Sequence, residues 1–158
     1  MVNAQEVTHV IYHGCCDDGF GAAWSAWKVL GDRARYIPAQ HGEPVPELPD
    51  DSVLALVDFS YSREVIEGLA QRLKGIVILD HHKTAEADLK QLPFAVFDME
   101  RSGAHLAWRF FHPEEPVPPL IAYIEDKDLW RFDLPESREF TAALRSYPMD
   151  FELWDRMN

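Results

Sequence analysis

Short apolar runs alternate along the chain with segments in which apolar residues recur at helical spacing. The apolar runs predict five β-strands, and the run at residues 53–57 is unbroken, as is typical of a strand buried on both faces of a parallel sheet. The alternation predicts an α/β fold with a mostly parallel five-stranded sheet and helices on both faces. The predicted strands span residues 9–12, 35–38, 53–57, 76–79 and 94–97, and the predicted helices span residues 19–30, 63–73, 102–111 and 119–125, with a less regular helical segment at 138–158.

Length and charge narrow the class of protein. The 158 residues suit a single domain, and a net charge of −12 without a Lys/Arg-rich stripe disfavours duplex DNA as a partner. No stretch approaches the roughly 18 uninterrupted apolar residues of a membrane-spanning helix. The N-terminal residues lack a secretory signal, and the two cysteines, Cys15 and Cys16, are adjacent and poorly placed to pair. We therefore expect a cytoplasmic protein without a membrane partner.

Side chains that bind metals stand directly after three of the predicted strands. His13 follows the first strand, Asp58 follows the strand at 53–57, and Asp80-His81-His82 follows the strand at 76–79. In open α/β sheets the carboxyl ends of the strands face one crevice. We therefore expect these side chains to converge, and two adjacent histidines at a buried strand end favour a functional role over packing.

The turn after the first strand adds to this corner of the sheet. Gly14, Gly19 and Gly21 surround Asp18 where a helix begins, and glycine-rich turns at helix N-termini favour a phosphate group. A mixed set of histidines and carboxylates suits Mn²⁺, Mg²⁺ or Zn²⁺ better than a soft metal. Asp58 is placed to bridge two ions, which in two-metal sites activate a water and clamp the oxygens of a phosphoryl group.

Several other polar and aromatic residues have a simpler interpretation. The acidic run at residues 125–128 is either a solvated helix end or the source of a further metal ligand. Isolated histidines are usually structural, and large indoles usually fill cores or domain contacts rather than stack on bases. The residues interpreted in this way are His9, His41, His105, His112, Trp24, Trp27, Trp108 and Trp130.

The run Leu79-Asp80-His81-His82 resembles the motif that names the DHH phosphoesterase superfamily, with most similarity to its oligoribonuclease-like and phosphohydrolase-like branch. That superfamily includes single-strand exonucleases, oligoribonucleases, cyclic-dinucleotide phosphodiesterases, exopolyphosphatases and manganese pyrophosphatases. The order of the neighbouring motifs is also similar, over roughly residues 9–145. The matching segments are residues 13–19, Val57-Asp58, Arg101-Ser102-Gly103-Ala104 and Asp126-Lys127-Asp128-Leu129-Trp130.

The resemblance implies a role for each matched residue. It makes Asp80, His81 and His82 the catalytic run, in which Asp80 orients its neighbours and His82 faces substrate phosphate. Lys83 and Arg101 are further candidates for phosphate contact, because of their charge. The metal ligands implied by the resemblance are His13, Asp18, Asp58, His81 and Asp126.

The first motif departs from the commonest pattern of the superfamily, Asp-x-Asp-Gly. Cys16 stands where the first Asp usually does, if Asp18-Gly19 is matched to the end of that pattern. Three interpretations stay open: Cys16 binds as a thiolate, Asp17 takes the ligand role, or one metal is held more weakly. Asp128 is a further candidate ligand in the fourth motif.

The function expected from these observations is hydrolysis of phosphodiester or phosphoanhydride bonds by metal-activated water. The cofactor is expected to be Mn²⁺, with Mg²⁺ or another divalent ion as alternatives, and two ions in the site. The net charge favours short substrates such as a short oligonucleotide, a cyclic dinucleotide or another phosphate ester. The alternative is a non-catalytic regulatory module that binds metal or nucleotide with the same fold.

Members of this superfamily usually carry a second, C-terminal domain that closes over the strand ends. Residues 129–158 contain no segment resembling it, so the whole of residues 1–158 is assigned to the DHH-type catalytic domain. We expect the closing surface to come either from a domain absent from this chain or from a partner subunit, such as a second copy in a homo-oligomer.

Overall fold

The computed structural model describes residues 1–158. It contains a five-stranded sheet and seven α-helices, which follow the predicted alternation of strands and helices. The strands are β1 (His9–His13), β2 (Arg35–Ala39), β3 (Val53–Val57), β4 (Gly75–Asp80) and β5 (Ala95–Phe97). The helices are α1 (Asp17–Leu30), α2 (Arg63–Arg72), α3 (Lys83–Leu89), α4 (Gly103–Phe111), α5 (Pro119–Asp128), α6 (Ser137–Arg145) and α7 (Phe151–Met157).

All the strands of the sheet are parallel, in the order β2-β1-β3-β4-β5. The predicted α/β class is therefore confirmed. The chain moves outward from β1 to β2, crosses back to β3 and continues outward through β4 to β5. Because the direction reverses between β1 and β3, a crevice is expected outside the carboxyl ends of these two strands.

The strands alternate their side chains between two apolar layers. In β3, Val53, Ala55 and Val57 belong to one core cluster, while Leu54 and Leu56 belong to the other. Both sets are buried, which explains why the run is unbroken in apolar residues. The larger cluster includes residues of α1, α4, α5, α6 and α7, and the smaller one includes residues of α2 and α3. Helices on both faces are thus confirmed.

Two parts of the helical prediction need correction. Helix α3 was not predicted, because its only buried residue is Leu89 and it has no apolar stripe. The segment at 138–158 consists of the two helices α6 and α7, which are separated by a stretch containing Pro148. No helix in the structure combines the length and the apolar character needed to cross a membrane.

One of the four tryptophans interpreted as core or domain-contact residues is exposed. Trp24 and Trp108 are buried in the larger cluster, and Trp27 packs against its edge. Trp130 is 72 % exposed, and its backbone takes a left-handed φ of 57° two residues after the end of α5. The sequence could not distinguish it from the others, because the burial of a tryptophan that follows a helix depends on which elements pack over it.

Candidate metal centre

The three strand ends meet as the sequence predicts. His13 ends β1, Asp58 follows β3, and His81 follows β4, and these strands are neighbours in the sheet. The Nδ1 atom of His13 lies 3.8 Å from Oδ2 of Asp58, and Nε2 of His81 lies 3.2 Å from Oδ1 of Asp58. Asp58 is therefore the central residue of a cluster of metal-binding side chains at the carboxyl edge of the sheet.

Asp58 is held in an unusual environment. Its backbone has a left-handed φ of 53°, which Asp tolerates better than most residues but which still costs energy. Its carboxylate is buried, and Oδ1 accepts no well-aligned hydrogen bond. Burial, together with the charge of Asp18, raises the pKa of Asp58 to about 8. A buried carboxylate oxygen without a donor is costly unless a cation faces it, so this residue fits a metal ligand.

His81 lies among three carboxylates. Besides Asp58, its Nε2 atom is 3.3 Å from Oδ2 of Asp18 and 3.6 Å from Oδ2 of Asp128. Burial opposes the positive charge, but contacts with Asp18 and Asp58 outweigh it and raise the pKa of His81 to about 11. A proton and a divalent cation compete for the same lone pair of Nε2. The surroundings that favour the proton therefore also favour a cation.

Asp18 is fixed by the start of α4. Its two oxygens accept hydrogen bonds from the backbone N–H groups of Gly103 and Ala104, each 2.8 Å long. A carboxylate at a helix N-terminus is stabilised by free amides and by the helix dipole. Burial opposes the negative charge of Asp18, but the hydrogen bond with His81 and its charge, followed by the two amides, outweigh it and hold the pKa of Asp18 below its usual value.

Asp80 and His82 form a second polar arrangement next to this cluster. Nδ1 of His82 lies 2.6 Å from Oδ1 of Asp80, while the hydroxyl of Ser60 donates to Oδ2 of Asp80 over 2.7 Å. The hydrogen bond with Asp80 raises the pKa of His82 despite partial burial. Asp80 thus orients the His82 ring, as the resemblance implies. The other ring nitrogen is left without a protein partner on a half-exposed side chain.

The structure distinguishes between Cys16 and Asp17. The thiol of Cys16 donates to Oδ2 of Asp58 over 3.4 Å, and its sulfur accepts the N–H of Gly19 over 3.1 Å. Burial, followed by the charge of Asp58, raises the pKa of this thiol well above its usual range. The carboxylate of Asp17 instead accepts a 2.7 Å hydrogen bond from Nε of Arg145. The cluster therefore includes Cys16 and excludes Asp17.

The side chains form three overlapping groups whose ligand atoms lie within 4.8 Å of one another. Asp58 belongs both to a group with His13 and to a group with His81, and His81 belongs also to a group with Asp18. The cluster therefore offers adjacent metal positions with common ligands. Such sharing is what a two-ion centre requires. The groups are His13, Cys16 and Asp58; Asp58, His81 and His82; and Asp18, His81 and Asp128.

Asp126 was predicted as a metal ligand, and the structure does not place it in the cluster. Its oxygens accept the backbone N–H groups of Asp133 and Leu134, at 2.9 and 3.2 Å, and so fasten the loop after α5. Residues two apart on a helix point in very different directions. Asp128, the weaker candidate, consequently faces His81, and burial followed by the charge of Asp18 raises the pKa of Asp128 to about 6.

The predicted phosphate-contacting cations differ in position. Arg101 pairs with Glu125 over 3.1 Å, so its charge is engaged next to the N-terminus of α4. Lys83 is exposed at the first turn of α3, directly after His82, and makes no ion pair. Lys83 therefore stays a candidate for substrate contact. Arg101 has a structural partner that the sequence did not reveal.

His41, interpreted as structural, lies at the edge of the centre. Its exposed ring is 5.5 Å from the ring of His13 and 6.5 Å from that of His82, between centroids, and it stacks on Phe59. His41 lies two residues after the end of β2. The argument that singled out the other histidines, their position just after a strand, would therefore also have singled out His41. A cleft of about 220 Å³ next to it includes His82, Ser60 and Tyr61 in its lining.

The largest cleft of the molecule, of about 450 Å³, lies elsewhere. Its lining includes Val53 and Gly75, the first residues of β3 and β4, together with Val2 and Phe94. It is therefore at the amino ends of the strands, opposite the metal-binding side chains. It holds no group of histidine, cysteine and carboxylate ligands, so the smaller cleft next to His82 is the better candidate for a substrate site.

Comparison with known proteins supports the fold and one relationship in sequence. No protein-family model matches the chain. Uncharacterized protein R106 of Acanthamoeba polyphaga mimivirus is 32 % identical over 173 aligned positions, which cover 98 % of this chain and 41 % of that protein. The chain thus spans about two-fifths of the length of this curated relative.

A similar fold occurs in a crystal structure of an uncharacterized protein from Helicobacter pylori G27. The two structures superpose with a TM-score of 0.66 over 80 % of this chain and 45 % of the other, at 14 % sequence identity. At this level of identity the similarity concerns the fold alone.

Proposed function

We propose that the chain is the catalytic domain of a divalent-metal-dependent phosphoesterase that hydrolyses phosphodiester or phosphoanhydride bonds in short, nucleotide-like substrates. The observation that supports this most directly is the position of Asp58. Its buried carboxylate lies between His13 and Cys16 on one side and His81 on the other, and one of its oxygens accepts no well-aligned hydrogen bond. The resemblance of residues 79–82 to the DHH motif belongs to the same proposal.

Two divalent ions bound at such a centre would supply an activated water and neutralise charge on a phosphoryl group. The protein side chains would do the rest. Asp18 is fixed by the amides of α4, so it holds its position at the centre without rearrangement. The hydrogen bond to Asp80 raises the pKa of His82 and so favours its charged form, which would present its free nitrogen to a phosphate oxygen or give a proton to the leaving oxygen.

The substrate class follows from the size and charge of the surroundings. The cleft next to His82, of about 220 Å³, has room for one small group at the end of a substrate, the rest of which would lie outside the cleft. A net charge of −12 disfavours long polyanions in solution. We therefore propose short oligonucleotides, cyclic dinucleotides or small phosphoanhydrides as substrates, with Mn²⁺ as the first cofactor to be tried.

Removing and restoring metal tests the proposal. After chelator treatment and dialysis, the chain should hydrolyse none of a panel of short oligonucleotides, cyclic dinucleotides, pyrophosphate and polyphosphate, and adding Mn²⁺ should restore hydrolysis of at least one. Undiminished hydrolysis in the chelated sample would contradict the metal-dependent mechanism. Tight metal binding without hydrolysis of any compound would favour the alternative, a regulatory module that binds metal or nucleotide.

A second prediction concerns His82. Because the Nδ1 atom of His82 is engaged by Asp80, His82→Gln should leave the metal content unchanged while lowering kcat by about a hundredfold or more. In the wild type, the hydrogen bond to Asp80 raises the pKa of His82 above its usual value, so its charged form persists to higher pH than that of a free imidazole and is lost as the pH rises through the raised pKa. Activity should therefore fall on the alkaline side.

Rate profiles against pH and elemental analysis of the purified variants check the role of His82. His82→Gln should lack the alkaline fall. His9→Gln, at the opposite end of β1, is the matched control and should keep both the rate and the profile. Loss of metal from His82→Gln to the same extent as from an Asp58 variant would show that His82 is a metal ligand instead.

A further inference from the structure

Cys16 occupies a position from which a thiolate can bind a metal ion together with His13 and Asp58. The distance from Cys16 Sγ to Asp58 Oδ2 is 3.4 Å, and the distance from His13 Nδ1 to the same oxygen is 3.8 Å. Two ligands of one tetrahedral zinc ion, with bonds of about 2.0 to 2.3 Å, lie roughly 3.3 to 3.8 Å apart. These two distances thus match the spacing of ligands around one ion, and the ligand atoms of all three residues lie within 4.8 Å of one another.

A second observation indicates that a cation belongs here. The Asp58 side chain is only 2 % exposed, and its Oδ1 atom, 3.2 Å from Nε2 of His81, accepts no well-aligned hydrogen bond. Its Oδ2 atom is the one that faces Cys16 and His13, so the buried charge of this carboxylate is available to a cation on that side. The Cys16 thiol is directed towards this carboxylate from the N-terminal cap of α1, where the N–H of Gly19 also contacts the sulfur. Amide donors and a helix N-terminus both stabilise negative charge on sulfur.

The two sides of the centre differ in the chemistry of their ligands. The first group combines nitrogen, sulfur and oxygen from His13, Cys16 and Asp58, whereas the group of Asp18, His81 and Asp128 offers only nitrogen and carboxylate oxygen. Thiolate ligands select ions such as Zn²⁺, while carboxylates suit Mn²⁺ and Mg²⁺. The two positions therefore favour different metal ions.

We propose that Cys16 is a metal ligand and makes the centre asymmetric, with a thiophilic ion such as Zn²⁺ at the His13–Cys16–Asp58 position and Mn²⁺ or Mg²⁺ at the Asp18–His81–Asp128 position. On binding, the sulfur–metal bond replaces the sulfur–hydrogen bond and the proton passes to solvent. This inference rests on the metal centre of the proposed function, but not on hydrolysis.

Cobalt spectroscopy tests the ligand directly, because a thiolate bound to Co²⁺ gives a near-ultraviolet charge-transfer absorption that nitrogen and oxygen ligands do not give. The reduced, metal-free full chain is titrated with Co²⁺. The wild type and Cys15→Ser, the matched control for the neighbouring exposed cysteine, should both show this absorption. Cys16→Ser should lose it and keep the weaker visible bands of Co²⁺. Serine still caps α1, so this variant should fold.

A competition titration between Zn²⁺ and Mn²⁺ measures the metal selectivity of the position that includes Cys16. Cys16→Asp should bind Mn²⁺ more tightly and reduce the preference for Zn²⁺ over Mn²⁺ at this position by about tenfold or more. The inference would be overturned if the wild type gave visible Co²⁺ bands without the charge-transfer absorption, or if that absorption remained in Cys16→Ser. Neither result would contradict the metal centre itself. Failure of the wild type to bind Co²⁺, Zn²⁺ or Mn²⁺ at all would overturn both the inference and the proposed function.

Discussion

Replacing Asp58 by Asn should abolish hydrolysis and most of the metal binding while leaving the fold intact. Asn has nearly the same shape and tolerates the left-handed backbone at this position, where φ is 53°. It removes the charge that faces His13 and Cys16 on one side of the centre and His81 on the other. Loss of about 4 kcal/mol of transition-state stabilisation corresponds to a rate reduction of about a thousandfold.

Thermal unfolding with and without metal separates this effect from damage to the fold. A ligand that binds only the folded state stabilises that state by about 2.7 kcal/mol when the free ligand concentration is about 100 times its Kd. The wild type should show such a rise in Tm with Mn²⁺ or Zn²⁺, and Asp58→Asn should not. The metal-free variant should be at least as stable as the wild type at neutral pH, because it no longer buries a carboxylate whose pKa is raised to about 8.

Asp32→Asn is a matched control, since it removes the same charge from an exposed position beyond the other end of α1. It should keep the rate, the metal content and the Tm shift of the wild type. If Asp58→Asn retained tight metal binding, Asp58 would not be a shared ligand and the centre would have to be assigned to other side chains.

Gly103→Ala should strongly destabilise the fold, although Gly103 is not itself a candidate ligand. A Cβ atom at this position would overlap the Asp58 side chain, lying against its Cβ and 2.7 Å from its Oδ1. Neither group can move away cheaply, because Asp58 is packed at the end of β3 and Gly103 donates its N–H to Asp18. Overpacking of this kind typically costs about 1 to 3 kcal/mol, and we expect the upper part of that range or more.

Urea unfolding measures the cost of Gly103→Ala, with Gly68→Ala as the matched control. Gly68 lies within α2 and a Cβ there would meet nothing within 4 Å. Alanine in a helix is more favourable than glycine by about 0.5 to 1 kcal/mol, so this variant should be more stable than the wild type. Equal midpoints for the two variants would mean that Gly103 does not hold the α4 terminus against Asp58.

The sequence was sufficient to predict the sheet and most of the side chains that cluster at its carboxyl edge. An unbroken apolar run such as 53–57 requires a strand covered on both faces, and parallel strands bring their carboxyl ends to one edge. The convergence of His13, Asp58 and His81 follows from these two facts. The rest depended on contacts between distant segments, such as the hydrogen bonds by which α4 fixes Asp18.

The errors have a common physical origin in local geometry. The choice between Asp126 and Asp128 depends on the rotational phase of α5, which a motif match does not determine. Asp17 and Cys16 are adjacent in the chain, but only the structure shows that Arg145 takes the carboxylate and that Asp58 faces the thiol. Arg101 likewise has its partner, Glu125, on a different helix.

The parallel topology has a consequence for the rates of folding and unfolding. The ligand cluster joins segments that are far apart in the chain, from His13 to Asp128, and contacts of large sequence separation form slowly because long loops must close first. A cation would therefore find all the candidate ligands in place only after the sheet has assembled. Interactions that are absent from the folding transition state slow unfolding without accelerating folding. Bound ions would then lower the rate of unfolding without raising the rate of folding. The native chain would persist for about as long as its ions stay bound.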